Sequence, residues 1–253
     1  MSYSEILDVS PDCAKRMRDC GMISHPLALS LDRLRETHVT YFGFEGDEKI
    51  GSLIVLDVIA PVICQLFNEL HAVKFPLFQI MPICVYAGSD TLSMQKNNSS
   101  AYNPRYIGQS DEISIHSFGM SLDINPVQNP YIGLGSMEDE NLKIAPVAGK
   151  DFINRHVKHP AMVEDVVPLF KKYGFIEWGG DWTERRVDYH HFQVPYNVAY
   201  LCSRVFSPDH ATQLFAFFLE NPQKFCGGSD QDLRLVIDIA EKKGHDAALQ
   251  TLI

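Results

Sequence analysis

The sequence predicts an α+β fold: a small antiparallel sheet packed by helices, with a C-terminal helical appendage. Three observations carry that prediction. Short β-branched and aromatic runs bounded by turn residues are scattered through the chain as far as about Val194. Helical spacing of apolar residues appears at separate places, near 58–73, 160–173 and beyond 207. After Pro195 the strand-like runs stop and only helical spacing remains. The chain has 253 residues, with 45% hydrophobic and 21% charged. A chain of that length buries a full core without staples, and its composition excludes disordered, collagen-like and coiled-coil classes.

The elements follow in order. Residues 1–30 show no clear period. THVTYFGF is rich in β-branched and aromatic residues, EGDEK is a turn, and IGSLIVL is strand-like again, which together read as a hairpin. Val62, Leu66, Leu70 and Val73 share a helical face, with Pro61 in the first turn. LFQIMPICVY, after Pro76, reads as a strand. Residues 87–113 are polar and carry no clear element, a stretch long enough to suggest a functional loop. Ser121–Ile124 reads as a short buried strand, and 126–150, with several Pro and Gly, as loop. Val163, Val166, Val167 and Phe170 predict a helix over Pro160–Tyr173, ending at Gly174. FIEWGGDW and DYHHFQV read as strands separated by a charged turn. Ser207-Pro208 opens a helix, and Leu233, Val236, Ile237 and Ala240 form another that Gly244 stops. The resulting division is an N-terminal segment 1–33, a main domain 34–199 and a helical extension 200–253. There is no internal repeat and no low-complexity tract.

Lys and Arg number 22 against 32 Asp and Glu, a formal charge of -10. Such a chain repels phosphate backbones, so no nucleic-acid partner is expected. No apolar run reaches the length of about 18 residues that crosses a bilayer; Ile54–Cys64 is interrupted by Asp57 and Pro61. The Phe-rich LFAFFLEN reads as helix core, not as a membrane anchor. The N-terminus has no apolar stretch after a basic one, so no signal peptide is expected. The protein then stays inside its cell, leaves by another route, or follows a removed leader. None of the six cysteines forms a CxxC pair. Cys64 and Cys84 lie in apolar runs and read as core. Cys13 with Cys20, or Cys202 with Cys226, would pair in an oxidising compartment; the reduced state is the preferred reading.

Chemistry concentrates in two stretches. In SIHSFGMSLDIN, His116 and Asp123 are seven apart, Gly119 permits a tight turn, and alternation in SLDIN aims Asp123 to one side of a strand. In DYHHF, Asp188 stands three before His191, and a strand end or turn there lets both face one cavity. Catalytic zinc takes three protein ligands of these types and keeps a fourth position for water. Two histidines and one carboxylate, plus a free carboxylate, supply an activated water and a base for its proton. Each piece alone has a bland reading. A His and an Asp seven apart arise by chance in most chains of this size. His190 and His191 read either as one ligand and one surface residue or as two core residues.

Four ordered segments sharpen this: NNSSAYNPR, SIHSFGMSLDINPVQNPY, GFIEWGGDW and DYHHF. From near Leu34 to about Val194 the chain resembles the M15 metallopeptidases, the D-Ala-D-Ala carboxypeptidase-like and L-alanyl-D-glutamate-peptidase-like enzymes of bacterial and phage wall metabolism. The resemblance implies a Zn2+ held by His116, Asp123 and His191 on the small sheet. It implies Asp188 as general base and Arg105 near the metal, holding a substrate carboxylate or polarising the scissile carbonyl. The implied substrate is a peptidoglycan stem peptide carrying D-amino acids, cut by carboxypeptidase or endopeptidase action at the cell wall. The guanidinium fork suits a carboxylate or a developing oxyanion, and Asp188 beside a dication is expected to stay ionised. One departure stands at Met120, followed by Ser121, where a small residue is usual; a changed pocket size is expected there.

Other residues keep two readings. His190 is assigned behind the ligands or to the surface. Ser114 either bonds substrate or caps a turn. Trp178 reads as core, and Trp182 as core or substrate wall. Asp181 fixes its loop or orients a ligand histidine. His156 and His159 have metal-like spacing, but Pro160 follows directly and a solvated turn is preferred. Asn97 and Asn98 begin N-x-S sequons that matter only on a eukaryotic secretory route; Asn97–Arg105 reads as pocket rim. Two alternative functions remain: an effector or binding protein on this scaffold, with the C-terminal helices docking a protein partner, or a cytoplasmic D-Ala-D-Ala dipeptidase.

Overall fold

The hairpin expected from THVTYFGF and IGSLIVL is the spine of the N-terminal half. The structure is a computed structural model that describes residues 3–108, 110–134, 142–183, 186–227 and 230–253. Strand β1 (Ser4–Asp8) lies beside β2 (Leu34–Phe42), which pairs with β3 (Glu48–Leu56), all antiparallel. β1 is an edge strand whose side chains mostly face solvent, so it has no apolar alternation to read. Helix α1 (Pro11–Asp19) also escapes a period search, because its buried face is only Cys13, Ala14 and Met17. Its start signal was nevertheless present: Pro11 opens the helix and Ser10 Oγ accepts from the Cys13 N–H. Helix α2 (Ala60–Ala72) buries Val62, Leu66 and Leu70 of the expected face together with Ile63 and Phe67, but Val73, expected on that face, lies just past the helix end and is exposed.

The next stretch corrects three expectations. The strand expected over LFQIMPICVY contracts to β4 (Gln79–Ile80), and Ile83–Tyr86 forms a 3-10 turn instead. Pro82 has no N–H to give a ladder, so pairing ends before it. The polar stretch 87–113 contains α3 (Asp90–Gln95), capped by Ser89, and β5 (Asn98–Ser99), parallel to β4. Asn97 and Asn98 are buried, not rim-forming. Asn98 binds Met81 O and Ser93 Oγ, and Asn97 binds Gln128 and Val127. Of NNSSAYNPR, Arg105 is the residue that lines the cavity described below.

Two small sheets follow. β6 (Ser121–Asp123), β9 (Glu177–Trp178) and β11 (His191–Gln193) form one, in the order β6-β11-β9. β7 (Tyr131–Leu134), β8 (Leu142–Ala145) and β10 (Arg186–Asp188) form the other, in the order β10-β7-β8. The loop expected over 126–150 therefore holds two strands; its residues 135–141 lie outside the described residues. These strands are too short to alternate visibly; β8 pairs with β7, and β7 pairs in turn with the distant β10. The helix expected over Pro160–Tyr173 contracts to α4 (Val167–Lys172). Pro168 would clash inside a longer helix but fits the first turn. DYHHFQV is not one strand either. A turn at Tyr189-His190 leaves Asp188 in one sheet and His191 in the other.

The C-terminal helices are α5 (Tyr196–Tyr200), α6 (Pro208–Glu220), α7 (Asp230–Lys243) and α8 (His245–Leu249), with a π-helical segment at Leu201–Val205. Phe215 and Phe218 of the Phe-rich run are buried in α6. No helix among the described residues is long and apolar enough to cross a membrane. Arg33 ties these helices to the hairpin, pairing with Asp57 at 2.8 Å and donating to Cys202 O at 2.9 Å. Cys13 lies beside Cys84, Sγ to Sγ 3.7 Å, and not beside Cys20. Cys202 is buried and Cys226 exposed.

Gly119 links the hairpin to the chemistry-bearing motif. Its φ is +65°, it donates to His116 O, and its carbonyl accepts from Leu56 N at 3.0 Å. A methyl there would meet Leu56 N at 2.7 Å. Gly119→Ala is expected to cost about 2 kcal/mol or more, from left-handed strain plus the clash. The midpoint of urea unfolding measures it, and an unchanged midpoint would show that this turn is not anchored as described.

Candidate metal centre

Asp123 and His191 stand directly opposite each other in the antiparallel pair β6–β11. Opposed residues share a face, so both side chains enter the same space. Along β11 the alternation places Phe192 on the other face, stacked on Phe170 of α4 with ring centroids 3.9 Å apart. The third group, His116, comes from a 3-10 turn at Ile115–Phe118 that Gly119 closes.

The ligand atoms converge. His116 Nε2 is 3.2 Å from Asp123 Oδ2 and 3.2 Å from His191 Nδ1, and His191 Nδ1 is 3.0 Å from Asp123 Oδ1. A tetrahedral ion with bonds of about 2.0–2.1 Å sets its ligand atoms about 3.3 Å apart. All three residues are buried.

The outer nitrogens fix which lone pairs face inward. His116 Nδ1 donates to Ala101 O at 2.6 Å, leaving Nε2 as an acceptor. Gln193 Nε2 donates to Glu177 Oε2 at 2.5 Å, so Gln193 Oε1 accepts from His191 Nε2 at 2.8 Å. His191 Nδ1 therefore also points a lone pair inward. Two lone pairs and a carboxylate this close, away from water, need a positive charge among them. A proton on His191 is one answer, and its pKa is raised by Asp123 and Asp188 against the opposing effect of burial. A metal dication is the other, and the donor set fits zinc by atom type, number and spacing. Burial works to raise the Asp123 carboxyl, but the imidazoles of His116, His190 and His191 hold it well below the usual carboxylate range.

Asp188 ends β10 beside this group. Its Oδ1 is 3.0 Å from His190 Nδ1, but that N–H is aimed at Asn129 O at 2.8 Å. Oδ1 is thus buried without a hydrogen-bond partner among the described residues. Burial raises the Asp188 pKa, opposed by His190 and His191. His190 is not at the surface; it is buried beside the ligands, its Nε2 3.9 Å from Asp123 Oδ1, and lines the same cavity.

The site opens into a cavity of about 610 Å³ lined by His116, Asp123, His191, Asp188, Arg105, Ser114 and Trp182 among others. All seven residues singled out from the sequence are therefore brought to one place. Arg105 pairs there with Asp90 at 3.1 Å, and its Nε is buried without a partner among the described residues. Ser114 precedes the 3-10 turn, yet its side chain makes no capping bond. Trp182 is half-buried, its ring 5.6 Å from that of His191. Trp178 packs on Phe192 and donates to Tyr189 O, the core reading. Asp181 pairs with Lys171 at the surface and so fixes its loop. Met120 corrects an expectation: it is buried in the core and does not line the cavity, so it cannot set pocket size directly.

Sequence reasoning missed the residues that hold this frame. Asn129 is fully buried and binds Ile124 O, Asn125 O and Ala161 O through Nδ2, while Oδ1 accepts from Val163 N and Arg155 Nη2. Asn125 binds Phe78 N and Pro76 O. The spacing in DINPVQNPY displays both asparagines, but nothing in it says what they bind. Gln193 and Glu177 lie in readable strands, yet their relay to His191 needs the β11–β9 pairing. Gln193→Leu is expected to weaken zinc affinity by about 10- to 100-fold by freeing the His191 ring. Competition with a chromophoric chelator measures this; unchanged affinity would remove Gln193 from the site.

Neither the curated proteins nor the solved structures contain a match to the chain. Residues 108–194, about a third of the chain, match an M15 peptidase family model described as D-alanyl-D-alanine carboxypeptidase. The match contains His116, Asp123, Asp188 and His191 but not the segment ending at Arg105. With the convergent His-Asp-His group, it supports the likeness of this part of the chain to the M15 metallopeptidases.

Proposed function

We propose that the protein is a zinc-dependent peptidase that hydrolyses D-amino-acid-containing stem peptides of peptidoglycan at the cell wall. One observation carries the reading: three inward-facing metal-ligand groups and the unbonded carboxylate oxygen of Asp188 share one cavity. A zinc ion held by His116, Asp123 and His191 would supply a Lewis acid and lower the pKa of a bound water to about 7.

The chain's own groups do the rest. Asp188 accepts the proton of the attacking water as its oxygen bonds to the scissile carbonyl carbon. It returns that proton to the amine nitrogen as the C–N bond breaks. The raised pKa that burial gives Asp188 suits a base that must also act as an acid. Arg105 directs its guanidinium toward the oxyanion or a substrate carboxylate, with Asp90 holding its far end. Trp182 and Ser114 border the bound peptide.

His116→Ala is expected to lose the metal, so one equivalent of zinc retained by native mass spectrometry would count against that ligand. Asp188→Asn is expected to keep zinc but lose at least about 100-fold in turnover, and full activity would refute its role. Digestion of muropeptides with and without a chelator tests the substrate. Chelator-sensitive release of D-Ala or of stem fragments is the expected result. Cleavage confined to free D-Ala-D-Ala would turn the reading to a dipeptidase. No chelator-sensitive cleavage would turn it to a binding protein on this scaffold.

A further inference from the structure

The face of the β10-β7-β8 sheet that carries Asp188 also carries two cations. Arg186 on β10 and Lys143 on β8 both stand directly opposite Gly133 on β7. Residues so opposed share a face, and the two backbones are two strand spacings apart, about 10 Å. In the next row Asp188, Tyr131 and Ala145 oppose one another in the same way. Residues two apart along a strand point to the same side, so both rows face together. Arg186, Lys143, Asp188, Tyr131 and Ala145 all line the cavity of the metal centre.

Gly133 leaves a gap between the two cations, and Tyr131 fills it. A methyl on Gly133 would collide with the ring and hydroxyl of Tyr131. The phenol thereby lies over Gly133, between the strand positions of Arg186 and Lys143. The Arg186 guanidinium lies 5.2 Å from the Trp182 ring centroid. A cation–π contact does not neutralise the charge of the guanidinium. Among the described residues, neither Arg186 nor Lys143 has a carboxylate partner. Arg105, the remaining Lys or Arg of the lining, is already opposed by Asp90. The chain as a whole is at -10, which disfavours acidic ligands, so two cations without an ion-pair partner among the described residues, both lining one cavity, are a local exception.

We propose that Lys143, Arg186 and the Tyr131 hydroxyl form a subsite for a substrate carboxylate, so that the preferred substrate is an acidic peptide. The subsite rests on the peptidase reading in one respect: Asp188 marks where the scissile bond lies. The rows are about 7 Å apart, two residues of an extended chain, which places the carboxylate within two residues of that bond. Planar donors of a guanidinium, with an ammonium and a phenol, match the two oxygens of a carboxylate.

Binding and turnover are measured separately. The protein as purified, carrying Asp188→Asn to stop turnover, is titrated calorimetrically with capped peptides containing D-Ala-D-Ala. The peptides form pairs that differ only as Glu or Gln at the positions flanking that unit. One Glu peptide is expected to bind about tenfold tighter than its Gln twin, with the preference weakening as salt rises. Lys143→Gln with Arg186→Gln is expected to bring the preference to near unity, whereas Lys143→Arg retains it and controls for folding. Equal affinity for every Glu and Gln pair, or a preference that survives the double substitution, overturns the subsite. Cleavage of muropeptides, whose C-termini are free, by the unsubstituted protein reports on the peptidase reading alone. An acid preference without cleavage leaves the subsite standing and removes that reading; cleavage without an acid preference does the reverse.

Discussion

His116 Nε2, His191 Nδ1 and the Asp123 carboxylate face one another at 3.0–3.2 Å inside a buried wall, and each outer imidazole nitrogen already donates elsewhere. Left without a cation, that arrangement is repulsive and poorly solvated. The surrounding structure is therefore organised to hold lone pairs together against their own electrostatics. Cross-strand pairing aligns Asp123 with His191, the Gly119 turn delivers His116, and the Phe170–Phe192 stack braces the far face of β11. Asn129 ties the loop after Asp123 to the segment at Ala161–Val163 and receives the His190 N–H on its carbonyl.

Two aspartates in the same cavity are driven in opposite directions by their neighbours. Asp123 sits among imidazoles and is held well below its ordinary range. Asp188, with one oxygen lacking any bond among the described residues, is raised by burial. One residue type thus takes two roles, a permanent anion for a metal and a carboxylate able to take up and release a proton. The division depends on where β10 ends and β11 begins, since the Tyr189-His190 turn sends the two halves of DYHHF into different sheets.

Legibility followed the range of the interaction. The β2–β3 hairpin, α2 and α6 were readable because their apolar periodicity and start signals are local. α1 carried the same Ser-Pro start as α6 but buried too few apolar residues to show a period. Strands β7 and β8 were not readable because four residues do not make a pattern, and the sheet they form is completed by β10, which pairs with β7 from more than forty residues away. Pro82 and Pro168 were visible but were outweighed by nearby apolar spacing, and in both places the missing N–H decided the outcome.

The amino-acid order by itself determined which residue types the site would contain. His116, Asp123, Asp188 and His191 stand in short motifs whose spacing is a local property, and their order supported the family likeness. Tertiary structure decided how those groups meet and what surrounds them. The partner of His191 on each side, the open oxygen of Asp188, the pairing of Arg105 with Asp90 and the cationic row across Gly133 all arise from contacts between distant segments. Spacing along a chain specifies faces of a strand or helix; it does not specify register between strands, and register is what brings these side chains within hydrogen-bonding and coordinating distance.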